Sequence, residues 1–201
     1  MRSGRGKHAG EVERALDAGL QNAGRIVTPE DAGEVRFPVG AGIVLGLGLG
    51  GFFDGIVFHQ ILQWHHMMSS ARYPPDYFVG LRINTFFDGL FHAGTYILVL
   101  LGLALLWKAA RRPHPWWSER AFIGSILTGF GVFNLVEGII DHHLLGLHHV
   151  NETVPRSEWI TWDIAFLVWG AAMLVGGLAL LKSARRRPPP GSNTPDRPRA
   201  A

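Results

Sequence analysis

The 201-residue sequence contains no cysteine. That excludes disulfides, thiolate metal sites and a catalytic thiol. Charge is also scarce: charged residues make up 17%, against about 25% in an average soluble domain. Lysine and arginine are missing altogether from 37–64, 86–107, 121–147 and 159–181. Each of these stretches exceeds the roughly 20 apolar residues that cross a bilayer. Such segregation excludes a soluble globular enzyme. Runs of this length also exclude a transmembrane barrel, whose strands alternate over about 10 residues. The start of the chain lacks the apolar run of a secretory signal peptide. The net charge of +3 comes from basic tails, so it does not argue for nucleic acid.

What is present is hydrophobic residue, 47% of the chain, gathered into the four spans. They predict an all-α membrane protein, a four-helix transmembrane bundle over residues 37–181. A polar segment, 1–36, precedes it and contains a stretch, 11–21, that can form a short amphipathic helix. A basic, proline-rich tail, 182–201, follows and is expected to be disordered. Of the 19 lysines and arginines, sixteen lie before the first span, between the second and third, or after the fourth. Only Arg72, Arg82 and Arg156 lie in the other two connections. The positive-inside rule therefore expects cytoplasmic termini and a bacterial inner-membrane location. Trp64, Trp107, Trp116, Trp117 and Trp159 stand near span ends, as an aromatic belt does. Gly42, Gly46 and Gly50, at four-residue spacing, predict close helix packing.

The sequence also repeats itself. The first span ends DGIVFHQILQWHH from Asp54, and the third ends EGIIDHHLLGLHH from Glu137. An offset of 83 aligns the acid, glycine, isoleucine, first histidine, a leucine and the closing histidine pair. Phe87-Asp88 corresponds to Trp162-Asp163 at an offset of 75. The chain therefore reads as two tandem helical hairpins in the same orientation, which would be related by an axis along the membrane normal. This pattern, FFDGIVFHQILQWHH followed by NTFFDGLFH and EGIIDHHLLGLHH, resembles the bacterial membrane family catalogued as domain of unknown function 2243. The resemblance covers residues 37–181. It implies a four-span bacterial membrane protein and hints at an association with cytochrome oxidase assembly.

Five carboxylates, Asp54, Asp88, Glu137, Asp141 and Asp163, lie inside the spans with no basic partner there. A charge at the bilayer centre costs at least about 2.5–3.5 kcal/mol, so histidines, protons or a cation must compensate. At about 1.5 Å per residue, the acids together with His59, His92 and His142 fall in one slab in the outer half. Carboxylate and imidazole without thiolate suit zinc, iron, manganese or copper(II). The expected ligands are Asp54, Asp88, His92, Glu137 and His142, with His59 and Asp163 next. His65, His66, His148 and His149 form a candidate outer rim, either ligating or bonding headgroups. Met67 and Met68 beside that rim would suit copper(I) or lipid contact. On an ideal helix Asp54 and His59 diverge by about 140°, so either Gly55 allows a distortion or one of the pair is not a direct ligand. His8 and His114 are expected to play no part.

Transition-metal binding is the leading reading, with metal handling or respiratory-oxidase assembly as its context. The alternatives are a membrane metalloenzyme, hydrolytic or oxidative, and a metal-free accessory subunit of a respiratory complex. Beyond the bilayer, a respiratory complex or a second copy of the chain is the candidate partner. A hydrogen-bonded network of neutral histidines and protonated acids, or a proton pathway, are the remaining readings of the buried groups.

Overall fold

The computed structural model describes residues 37–112 and 117–185. The 11–21 stretch, residues 186–201 of the basic tail, Trp116, His8 and His114 lie outside them, while residues 182–185, expected to be disordered, continue the last helix. Helix α1 spans Val39–Phe53 and continues as a π-helix over Asp54–Ile61. Helix α2 spans Phe78–Ala110. Helix α3 spans Glu119–Glu137 and also continues as a π-helix, over Gly138–Leu144. Helix α4 spans Trp159–Arg185 behind a short 3₁₀ turn at Arg156–Glu158. All four are long and apolar enough to cross a membrane. No strand occurs among the described residues.

The two central helices are α1 and α3. Their backbones pack on one another, α2 packs on α1, and α4 packs on α3. The central pair is buried over about half of its apolar window, while α2 and α4 are largely exposed. Phe78, Phe86, Ile97, Trp107, Val168 and Val175 are among the large apolar side chains left on the outside. In water such a surface would be a liability. Against hydrocarbon it is the expected exterior, because spanning helices already satisfy their backbone internally.

Small residues make the central contact. A Cβ at Gly46 would strike the carbonyl of Ile126 and lie 3.0 Å from Gly129 Cα, and one at Gly129 would strike the carbonyl of Ile43. The two glycines are 83 positions apart and lie against each other. Without a hydrophobic drive between helices in lipid, this closeness supplies van der Waals contact that larger residues would prevent.

The end rich in buried polar residues begins where α1 and α3 change winding. The π segments end in matching turns, with Leu62 N–H donating to Val57 O and Leu145 N–H to Ile140 O, both at 2.8 Å. Gln63 and Gly146 then adopt left-handed backbone, with φ of 51° and 57°. The chain does not carry on as a straight helix to the interface. Each turn folds it back, so that His65 and His148 lie buried. The loops beyond hold each other: Ser70 and Ala71 N–H donate to Leu147 O, and Glu152 N–H donates to Trp64 O.

A candidate metal centre between the central helices

A π-helix bonds residue i to i+5 rather than i+4, and this brings residues five apart onto one face. Asp54 and His59 are such a pair, as are Glu137 and His142. The distortion that Gly55 allows is present, and it starts at Asp54 itself. Asp54 Oδ2 lies 2.9 Å from His59 Nε2. His65 Nε2 is 4.0 Å from the same oxygen. In the other half, His148 Nε2 is 3.9 Å from Glu137 Oε1. Three overlapping triads have ligand atoms within 4.8 Å of one another: Asp54, His59 and Glu137; His59, His65 and His148; Glu137, His142 and His148. All six side chains are buried, none more than 4% exposed.

The histidines are held from behind. His65 Nδ1 donates to Val150 O at 2.8 Å and His148 Nδ1 donates to Met67 O at 3.2 Å. A carbonyl can only accept, so the Nδ1 proton is fixed and the neutral ring keeps its lone pair on Nε2. The two acceptors, Met67 and Val150, are themselves 83 apart, and each serves the histidine of the other half. Burial first, and then the imidazole of His148, hold His65 well below its ordinary pKa. Burial, with His59 nearby, pulls His148 down to about 4. Both rings are therefore neutral at neutral pH.

Asp88 and Asp163 stand one layer further out. Asp88 accepts from His59 Nδ1 at 2.9 Å, from His66 Nδ1 at 2.7 Å and from Met67 N–H at 2.9 Å. Asp163 accepts from His149 Nδ1 at 2.6 Å and Val150 N–H at 3.0 Å. His142 Nδ1 is 3.7 Å from it, too far for a hydrogen bond. Phe91 stacks on His59 and Phe166 packs against His142. A carboxylate behind an imidazole fixes its tautomer and raises its basicity toward a metal.

The structure thus brings together Asp54, His59, Glu137 and His142 and joins His65 and His148 to them. Asp88 touches the cluster through His59, whereas Asp163 accepts from His149 and Val150 N–H and stands 3.7 Å from His142. His66 and His149 bond these two aspartates at the edge. His92 belongs to none of the three triads; its Nδ1 donates to Asp88 O on its own helix, its ring rests against Gly55, and its Nε2 is buried and unpartnered like those of the cluster. Asp141 is half-buried and His143 exposed. The eleven-residue spacing from Asp54 to His65 and from Glu137 to His148, about three helical turns, places each histidine on the face of its acid and is the sequence signal for this pair. The turns at Gln63 and Gly146, which carry them inward, have no such signal.

Most of the cluster's inward atoms have no hydrogen-bond partner. Both oxygens of Asp54 and of Glu137, both nitrogens of His142, and Nε2 of His59, His65 and His148 are buried and unpartnered. His59 Nε2 and Asp54 Oδ2 are close, but they lack the alignment of a hydrogen bond. Two ligands about 2.1 Å from one ion would be separated by about 3.0 to 4.2 Å, from cis to trans placement. The separations of 2.9, 3.9 and 4.0 Å match that range.

The fold and the cluster define a four-helix membrane protein with a buried histidine–carboxylate centre. Residues 41–184 match the family described as "Predicted membrane protein (DUF2243)", and the chain belongs to that family. No curated protein and no solved structure matches it.

Proposed function

We propose that this protein binds a transition metal in the outer half of a bacterial cytoplasmic membrane, with both termini and the 108–120 connection in the cytoplasm. The ligands are Asp54, His59, His65, Glu137, His142 and His148, with Asp88 orienting His59 and Asp163 standing 3.7 Å behind His142. The observation that carries this reading is the convergence of unpartnered, buried imidazole nitrogens and carboxylate oxygens. Such atoms each cost about 1–3 kcal/mol if left unmet, more for charged groups. A cation meets several at once. The donor set, nitrogen and oxygen without sulfur, suits zinc, iron, manganese or copper(II). The sixteen-to-three division of basic residues supports the orientation.

A cavity of about 620 Å³ opens at the loop end, lined among others by His65, His66, Ser70, Asp76 and Glu152. It supports exchange of an ion or small ligand with the outer aqueous side, hence metal handling or catalysis rather than a sealed structural site. The oxidase-assembly context rests on the family resemblance alone.

One observation favours a second reading. His59 sits between Asp54 and Asp88, 2.9 Å from each, as an imidazolium bridging two carboxylates would. Elemental analysis of gently purified protein separates the two. Metal binding expects near-stoichiometric transition metal, lowered in Asp54→Asn and Glu137→Gln. A metal-free protein from replete medium, with both amide variants like the parent, would leave the proton-linked network.

A further inference from the structure

We propose that the centre is dinuclear, with one divalent ion on Asp54, His59 and His65 and a second on Glu137, His142 and His148. The inference rests on the metal-binding reading and adds to it a count and a ligand assignment.

The two sets share one pattern: a carboxylate, a histidine five residues on, and a second histidine six residues later. Two histidines and one carboxylate with open positions is a recognised arrangement for a divalent transition ion, iron(II) above all. The supports of the sets also correspond. A π-helical segment sets the first pair in each. An aspartate from the following helix faces the Nδ1 of the first histidine, at 2.9 Å in one half and 3.7 Å in the other. A carbonyl of the opposite half holds the Nδ1 of the second histidine. The carboxylate oxygens and the Nε2 atoms remain free in both, and in the second set His142 Nδ1 is free as well.

The sets are also close enough to act together. His65 and His148 stack with ring centroids 4.5 Å apart. Glu137 shares a triad with Asp54 and His59 as well as one with His142 and His148, so its carboxylate is placed to bridge. Paired metal ions stand about 3.5–4 Å apart in two-metal sites.

Charge points the same way. Of the five carboxylates in the spans Asp141 is only half-buried; the four buried ones, Asp54, Glu137, Asp88 and Asp163, carry four negative charges when ionised, and no lysine or arginine lies in the stretches that hold them. Two divalent ions with neutral histidines balance all four. A single ion leaves two uncompensated in a medium where each is expensive.

The test is metal stoichiometry of the full-length chain in detergent, loaded with Mn(II) alone. The expected content is two ions per chain, with an exchange-coupled electron paramagnetic resonance spectrum. His59→Ala and His142→Ala should each leave about one ion and convert the spectrum to that of isolated Mn(II). Circular dichroism and a monodisperse elution profile confirm that each variant is folded. His59→Gln and His142→Gln serve if an alanine variant misfolds. One ion in the parent, lost entirely in either variant, would overturn the two-ion assignment while leaving metal binding intact. No ion in the parent, with Zn(II) and Fe(II) loading equally negative, would overturn the metal reading itself and this inference with it.

Discussion

If the centre holds a metal as proposed, Asp88→Asn isolates the contribution of the layer behind the proposed ligands. Asp88 Oδ1 accepts from His59 Nδ1 and Met67 N–H, and Oδ2 accepts from His66 Nδ1. An asparagine has one carbonyl oxygen. With that oxygen in the Oδ1 place, its amide confronts the His66 N–H. With it in the Oδ2 place, the amide confronts two donors. At least one charge-assisted hydrogen bond is lost, worth about 1.5–3 kcal/mol. The part that reaches the metal passes through His59, whose ring loses both its negative partner and its added basicity. Loss of such a partner lowers metal affinity about 10- to 100-fold, which is about 1.4–2.7 kcal/mol. Asp163→Asn should cost less, under about tenfold by the same reasoning, because His142 stands 3.7 Å from Asp163 and is not bonded to it. Competition against a chromophoric chelator in detergent measures both, with circular dichroism to verify helix content. Unchanged affinity in Asp88→Asn, or a larger loss in Asp163→Asn, would refute the orienting role.

His92→Leu places at that site the residue found at its counterpart, Leu167, and should leave metal content unchanged; a loss on elemental analysis would make His92 a ligand. Gly46→Ala should destabilise the bundle by about 1–3 kcal/mol through overpacking, read by thermal unfolding, with Gly89→Ala, where a Cβ meets nothing within 4 Å, as the silent comparison. In metal-free protein, His148 is protonated more readily unfolded, at 6.5, than folded, at about 4. Its contribution to stability is therefore complete above about 6.5 and is lost as pH falls through about 4; His148→Gln should flatten denaturation curves across that interval. Reporter fusions at Pro75 and Asn151 should report the outer compartment and one at Pro113 the cytoplasm; the reverse would place the centre in the inner half.

The four helices were legible because apolar runs without a basic residue have one stable arrangement in a bilayer. The acids and histidines were legible as a group for the same reason: each is expensive there, and all fell at one depth. The helical ends were not. Residues 62–64 and 145–147 continue the apolar stretches, yet α1 ends its π segment at Ile61 and α3 at Leu144. Helix α2 begins at Phe78, eight residues before the apolar run does, because Asn84 binds the carbonyls of Tyr73 and Gly80 and holds the loop onto its first turns.

By itself the sequence determined that this chain crosses a membrane four times, and that Asp54, His59, Glu137 and His142 recur at one spacing in two halves. Composition and spacing are local properties, and hydrocarbon punishes every exception to them. Only the tertiary structure decided which atoms meet. Extrapolated as ideal helices, α1 and α3 turn His59 and His142 away from their acids and send His65 and His148 out to the interface. The π windings, the left-handed turns at Gln63 and Gly146, and the crossed carbonyls of Met67 and Val150 reverse both placements. Those features depend on α1 and α3 lying glycine against glycine, so that each half completes the hydrogen bonding of the other.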